Sequence, residues 1–446
     1  MNNSIKFRIS SNIRLTGTGS DVCTRLAQIF TLDNKKYDDA VKYNRSTKDL
    51  EPYLKFYKPI FSKSGGIYVP RGAAQQVMAI AKRQGGVDIE DIRYCAPELD
   101  LQFSGSLRPY QADAVKRILS HPFGTLEAGT GSGKTVMALA VIAQRKQPTL
   151  ILVHTKELLY QWRDRIKTFL DVDAGLIGDG KFKIKPVTVG IVNTVNKRVD
   201  DLWEMFGHLV VDECHRVPSS LFIDTVSEFD TYYMLGLSAT PYRRDGLSKL
   251  IGWYMGEHRV KVDTKFLQKT GDILRPKIIR RKTAFKYFYE DDYQNMISDL
   301  VSDPDRNLLI SSDIKKQITK GGLSLVVSDR VEHLNRLMRI SAPGAPVLTG
   351  KTPTKKRREI VESLEKGNTK VLFSTLSLIG EGFDCPAMDS LFLTTPIKFS
   401  GRLRQVVGRI LRPSAGKMPK VYDYIDSNVG VLEYQSECRQ EVYSQM

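Results

Sequence analysis

From about residue 105 the chain alternates short, continuously apolar runs with segments of helical length, and this restricts the fold more than any other feature. The runs TLILV (149–153), VTVGIV (187–192), HLVVDE (208–213) and MLGLSA (234–239) carry no solvated face. Between them lie TVMALAVIAQRK (135–146) and ELLYQWRDRIKTFL (157–170). Strands apolar on both faces, spaced by helices, predict a parallel sheet covered on both sides. A second series follows, with LSLVVS (323–328), VLFST (371–375), SLFLTT (390–395) and VYDYID (421–426). Its helical segments are VEHLNRLMRI (331–340), TKKRREIVESLEKG (354–367) and GRLRQVVGRILR (401–412).

A chain of 446 residues is too long for one core and suits two to three domains. The expected class is α/β: two tandem parallel-sheet domains behind a small α+β N-terminal domain. The expected boundaries are 1–104 for the N-terminal domain, 105–260 for the first sheet domain, 261–320 for a connector and edge segment, and 321–446 for the second. No short-period repeat or low-complexity segment interrupts this order.

Lys and Arg number 67 against 50 Asp and Glu, a formal charge of +17 that favours a polyanionic partner. The bland alternative is a basic soluble protein with no such partner. The cysteines, Cys23, Cys95, Cys214, Cys385 and Cys438, are scattered and odd in number, which argues against a disulfide framework or zinc site. The opening MNNSIKFRIS has no signal-peptide core, and no run is long enough to span a membrane. A cytoplasmic protein is expected.

The segment EAGTGSGKT (127–135) runs straight into a helix. Gly129, Gly131 and Gly133 allow backbone N–H groups to turn toward a phosphate chain, and the helix N-terminus adds its dipole. Lys134 is expected on the β- and γ-phosphates and Thr135 on Mg²⁺. Ala128 stands where the strict pattern has Gly. A mere glycine-rich turn is the competing reading, disfavoured by the helix that follows. The strand LVVDECH (209–215) ends in Asp212 and Glu213. Asp212 is expected to hold Mg²⁺ and Glu213 to polarise the attacking water. The expected ligands are therefore ATP and Mg²⁺.

These strings, in this order, resemble superfamily 2 helicases of the DExH kind over roughly residues 105 to 430. That implies two RecA-like domains with ATP in the cleft between them and DNA across their other shared edge. By resemblance, LRPYQ (107–111) places Arg108 and Gln111 on adenine. SATP (238–241) makes Ser238 and Thr240 coupling residues. STLSLIGEGFDCP (374–386) puts Thr375 on a strand and Asp384 on ribose. QVVGRILRP (405–413) supplies Arg409 and Arg412 as arginine fingers, three residues apart and so expected on one helical face. His215 and Gln405 resemble a pair linking the domains. Thr155, Lys156 and Thr194 resemble strand contacts, and His154 reads as structural.

LGLSATPYRRDG (235–246) narrows the resemblance to XPB-type helicases and to phage branch-migration helicases of the UvsW type. Arg243, Arg244 and Asp245 stand where XPB-type chains carry Arg-Glu-Asp, so the middle acid is replaced. Arg243 and Arg244 are expected on DNA. The implied activity is an ATP-dependent DNA helicase or translocase acting on forks and Holliday junctions. A monomer is expected, in a host's cytoplasm if the protein is a phage's, with 3′-to-5′ movement. The rivals are an RNA helicase with the same engine, a translocating subunit of a restriction system, and a scaffold that binds branched nucleic acid without catalysis.

The N-terminal stretch Tyr53 to Gly72 is basic and aromatic. Tyr53, Phe56, Tyr57 and Phe61 read first as core. Lys42, Arg45, Lys48, Lys55, Lys58, Lys63 and Arg71, with the Ser64-Gly65-Gly66 and Pro70-Arg71-Gly72 turns, are expected on duplex phosphates. The alternative is a domain that only caps the first motor domain.

Overall fold

The apolar runs pair as parallel strands, because each buries both faces and is joined to the next through a covering helix. The computed structural model describes residues 5–61, 65–215, 219–239, 247–380, 387–397, 400–414 and 416–446. Contacts group Met1–Ala128 with Gly133–Val262 as one compact unit, and Gly129–Ser132 with Asp263–Met446 as a second.

The sheet of the first unit has eight strands. They are β1 (Phe123–Glu127), β2 (Thr149–Val153), β3 (Gly175–Gly178), β4 (Lys181–Lys183), β5 (Val187–Ile191), β6 (His208–Val211), β7 (Tyr233–Ser238) and β8 (Arg259–Lys261). Their spatial order is β4-β3-β5-β2-β6-β7-β1-β8. All pairs are parallel except the β3–β4 hairpin. The helices that bear on the site are α1 (Pro109–Leu119), α2 (Lys134–Arg145), α3 (Lys156–Leu170) and α4 (Val192–Asn196). Every residue of β2 and β6 is buried.

The second unit is built on six parallel strands, β9 (Lys277–Lys282), β10 (Ser324–Ser328), β11 (Val347–Leu348), β12 (Val371–Thr375), β13 (Ser390–Leu393) and β14 (Lys420–Ile425), ordered β9-β14-β13-β10-β12-β11. The stretch read as connector and edge segment supplies edge strand β9 and the helix Pro304–Thr319. A buried ion pair, Arg306 to Asp426 at 2.8 Å, ties that helix to the end of β14. Helix α5 (Ser400–Gly408) precedes β14.

The N-terminal residues form a five-stranded sheet in the order Lys58–Pro59, Gly66–Pro70, Asn12–Thr16, Ile5–Ile9, Val87–Asp91. Its inner face and the helices Ser20–Ile29 and Ala74–Lys82 share one apolar core with the helix Lys249–Met255 of the same unit. Phe30 meets Trp253 edge-on at 5.0 Å, and Phe56 lies 5.6 Å from the same ring. Phe56 and Tyr57 thus pack on core as expected, whereas Tyr53 and Phe61 are exposed.

The Pro70-Arg71-Gly72 turn does not present charge to a duplex. A Cβ on Gly72 would stand 2.6 Å from the carbonyl oxygens of Gly252 and Trp253, so the turn is pressed backbone to backbone onto that helix. Arg71 is only 1% exposed. Its Nη1 donates to the carbonyls of Ser10 and Thr231 at 3.4 and 3.3 Å, and its guanidinium lies over Phe123. Burial lowers its pKa to about 9, with Asp230 opposing the shift. Arg71 is an internal clamp between the N-terminal sheet and the segment leading into β7.

Arg71→Ala should therefore cost the first unit about 2–4 kcal/mol, by leaving buried carbonyls unpaired and a void beneath Phe123. The salt dependence of nucleic-acid binding should stay unchanged. Urea unfolding and a salt titration of binding check both halves.

Candidate active site

Strand β1 lies between β7 and β8, and its end launches the phosphate loop. Ala128 is buried, donates its N–H to Ser238 O at 3.0 Å and is not left-handed, so this first position has no need of glycine. Gly131 and Gly133 do need it, with φ of 89° and 83°. Gly133 caps α2. A Cβ there would stand 2.4 Å from Gln111 Nε2. The loop closes on itself through Ser132 Oγ, which donates to Gly129 O at 2.7 Å. Lys134 Nζ folds over the loop and donates to Ala128 O at 2.9 Å. Thr135 follows on the first turn of α2.

Gln111 is buried on α1, and its Oε1 accepts the Arg108 N–H at 2.9 Å. Its amide stiffens the start of α1 next to the launch of α2. Arg108 is exposed.

Strand β6 runs between β2 and β7 and delivers Asp212 and Glu213 at its end. The Asp212 N–H still bonds Leu152 O at 2.9 Å, and the Cys214 N–H bonds Leu237 O at 3.0 Å. Between these two anchors Glu213 takes a left-handed φ of 48°, which costs a non-glycine residue about 1–3 kcal/mol and turns its side chain off the strand axis. Asp212 Oδ2 accepts the Trp162 indole N–H at 2.8 Å, and Oδ1 accepts the Glu213 N–H at 2.9 Å. His215 Nδ1 lies 3.5 Å from Glu213 Oε2 and shares a hydrogen bond with Ser238 Oγ at 2.8 Å. The imidazole thereby connects the acidic pair to the end of β7.

Burial pushes the Asp212 pKa up to about 6, reinforced by the Glu213 charge and opposed by the Trp162 hydrogen bond and by Lys134. A buried carboxylate with a second, partly buried one beside it calls for a cation. Among the described residues no cluster of three or more His, Cys, Asp or Glu could hold a metal by itself. One carboxylate with a threonine hydroxyl suits magnesium, which takes most of its ligands from phosphate and water. The donor set Asp212 and Thr135 fits that ion.

In the second unit Gln405 is buried on α5. Arg409 and Arg412 both lie beyond α5, which ends at Gly408. The N–H groups of Arg409, Ile410 and Leu411 bond carbonyls three residues back, so the chain tightens into a turn that carries both arginines. Thr375 ends β12 and accepts a hydrogen bond from Ser377 Oγ at 3.4 Å. Thr240, Arg243, Arg244, Asp245, Asp384, Lys63 and Ser64 lie outside the described residues.

Thr155, Lys156 and Thr194, three of the residues expected on a nucleic-acid strand, lie at one end of the first sheet. Thr155 caps α3, its hydroxyl accepting the Leu158 N–H at 3.3 Å. Lys156 is paired with Asp179, in the turn after β3, and Tyr160 donates to the same carboxylate at 2.8 Å. Thr194 is half-buried on α4, directly after β5. Lys55 and Lys58 are exposed on the N-terminal module, as are Lys42, Arg45 and Lys48. Sequence reasoning missed Trp162. The available signal was a tryptophan on the apolar stripe of a helix, where a buried indole N–H needs a partner.

Two family models match the chain: the res subunit of type III restriction enzymes over residues 104–243, and the helicase conserved C-terminal domain over 306–414. The chain is 29% identical to the DNA 3′-5′ translocase XPB2 of Sulfurisphaera tokodaii over 345 residues, 69% of this chain and 78% of the relative. A putative ATP-dependent RNA helicase of Acanthamoeba polyphaga mimivirus is 27% identical over 459 aligned residues, 95% of this chain and 86% of the relative. The solved structure of S. cerevisiae Dbp5 bound to RNA and ADP BeF3 superposes with a TM-score of 0.57 at 15% identity, covering 76% of this chain and 88% of that one. That likeness shows the fold, a tandem pair of RecA-like domains.

Asp212 holds its proton better in the folded than in the unfolded chain. Stability drawn from the neutral form is thus full below the ordinary carboxylate range and is lost as pH rises through about 6. Asp212→Asn keeps an acceptor for the indole N–H and removes the charge. It should stabilise the nucleotide-free protein by on the order of 1–3 kcal/mol near pH 8, with the gain shrinking near pH 5. Thermal unfolding of both proteins across pH is the measurement.

Proposed function

Since the chain belongs to superfamily 2 of the helicases, we propose that it is an ATP-driven DNA helicase or translocase that works on branched DNA. The observation that carries the catalytic half is the buried Asp212 with the partly buried Glu213 beside it just after β6, and Lys134 near enough to bear on Asp212's charge. Magnesium, when bound, neutralises charge on the phosphates and orients them. Asp212 and Thr135 would hold it. Lys134 leaves the Ala128 carbonyl for phosphate oxygens. Glu213 accepts the proton of the attacking water, oriented by His215. Arg409 and Arg412 offset the charge that develops on the phosphoryl group. Gln111 and Arg108 bind the base, and Asp384 the ribose. Ser238 and Thr240 couple hydrolysis to the strand through His215, and Gln405 takes part from the second domain.

DNA is favoured over RNA because the XPB2 relative is named a DNA translocase and the motif run Leu235 to Gly246 resembles DNA helicases. The RNA reading draws on the mimivirus relative, which matches more of the chain. Hydrolysis measured against DNA and RNA of equal sequence separates the two readings. Thr155, Lys156 and Thr194 in the first domain and Thr375 in the second track the strand, with Arg243 and Arg244 nearby in sequence.

The N-terminal module supplies the second grip that a junction requires. Its exposed Lys42, Arg45, Lys48, Lys55 and Lys58 bind duplex phosphates without reading sequence. Lys42 and Arg45 flank the exposed Tyr43 ring at 5.5 and 5.6 Å. The module and the first motor sheet share one core, so surface charges are a cleaner probe than truncation.

Glu213→Gln should retain ATP binding and lower turnover by about 10²–10⁴-fold. Undiminished hydrolysis would remove Glu213 from the chemistry. Lys55→Glu with Lys58→Glu should leave hydrolysis on single strands unaltered and weaken binding to forks. For each phosphate that is no longer neutralised, the slope of log affinity against log salt should fall by about 0.9. Equal fork and linear affinities in the parent protein would end the junction reading.

A further inference from the structure

Helix α3 carries a buried stripe, Leu159, Trp162, Ile166 and Leu170, at helical spacing. Leucine or phenylalanine would fill the second of these positions without introducing a polar atom. Tryptophan brings an N–H that must be satisfied at 1% exposure, and it is satisfied on the Asp212 carboxylate at 2.8 Å. We propose that Trp162 is a positioning residue, holding the Asp212 carboxylate in its metal-facing orientation and linking it to the strand-facing end of α3. This rests on the functional reading above and adds to it a route by which nucleic acid stimulates hydrolysis.

Three observations support the assignment. First, the carboxylate is pinned at both oxygens from different elements: Oδ1 by the Glu213 backbone N–H, Oδ2 by the indole of α3. With only the backbone contact, the Asp212 side chain could rotate about its Cα–Cβ bond. Second, α3 is continuous with the neighbouring strand. β2 pairs with β6 in parallel, and the chain leaves β2 at Val153 and enters α3 at Lys156. The indole hydrogen bond closes a ring that runs from β2 through α3 and across to the end of β6. Third, the start of α3 holds the residues expected on the strand, Thr155 at its cap and Lys156 on its first turn. Lys156 and Tyr160 both grip Asp179 beyond β3. Trp162 lies about 10 Å along the helix from Thr155, at 1.5 Å per residue. A shift of the helix start when a strand binds would therefore bear on the carboxylate through one rigid element.

The test uses the full chain with Trp162→Phe, which keeps an aromatic ring in the core and deletes the donor. A second version replaces Trp162 with benzothienylalanine, an isostere with sulfur in place of the N–H group. Three quantities are measured: thermal unfolding without nucleotide, affinity for a fluorescent ADP with and without Mg²⁺, and the Mg²⁺ dependence of hydrolysis with and without single-stranded DNA. The expected result is nucleotide affinity in chelator close to that of the parent. The gain on adding Mg²⁺ should be reduced about 10-fold or more, as is usual when an outer-shell partner of a metal ligand is removed. The fold-stimulation by DNA should fall with it.

Parental Mg²⁺ dependence in either folded variant overturns the positioning role. A uniform loss of melting temperature and of nucleotide affinity, with the Mg²⁺ gain intact, shows that Trp162 only fills the core. If the parent itself is stimulated by no nucleic acid, the functional reading and the link to the strand fall together, and the nucleotide-binding arm still decides whether Trp162 positions Asp212.

Discussion

Burying the Asp212 carboxylate, with the partly buried Glu213 beside it, at the end of a central strand is the constraint around which the first unit is arranged. Such a pair is costly away from water, and everything near it lowers that cost or puts it to use. Trp162 and the Glu213 backbone each donate to Asp212, Lys134 contributes opposite charge, and His215 adjoins Glu213. The backbone joins in through the left-handed turn at Glu213, set between hydrogen bonds to β2 and β7. On the proposed reading, a cation and phosphate bound here would offset the cost of that charge. A motor that must bind and release nucleotide repeatedly can use that balance, as a site too comfortable when empty would bind weakly.

The same unit answers a second problem, how to hold a basic N-terminal module without letting it swing. A basic module attached through a flexible linker would bind phosphate but could not keep a set distance from the engine. Here the N-terminal sheet is seated on the motor by shared apolar burial, by the backbone approach at Gly72 and by the buried guanidinium of Arg71. Arg71 belongs to the same basic stretch as the exposed lysines and does the opposite job. Its hydrogen bonds end on the Ser10 and Thr231 carbonyls and the Thr231 hydroxyl, and it presents almost nothing to solvent.

Much of this was legible in the chain, wherever the cause is local. Continuous apolar runs declare strands buried on both faces, and the structure places 149–153, 208–211 and 234–238 side by side in one sheet. The phosphate loop is legible because Gly131 and Gly133 occupy conformations that other residues resist, while Ala128, with an ordinary conformation, departs from the pattern without consequence. The acidic pair is legible as a polar break at the end of an apolar run.

What the tertiary structure alone decided are matters between residues far apart in sequence. Spacing put Arg409 and Arg412 on one helical face, yet α5 stops at Gly408 and the chain tightens into a turn. Composition put Arg71 among the surface charges, yet packing against Phe123 and the residues before β7 encloses it. Of four aromatics in one short stretch, Phe56 and Tyr57 found the core while Tyr53 and Phe61 stayed in water. Trp162 passed unremarked in the sequence, although Asp212, 50 positions away, accepts its N–H. Periodicity reports which face of an element is buried, because that follows from local geometry. Which polar atom meets which, and whether a charge is enclosed, depends on how the elements pack, and no short stretch of sequence carries that information.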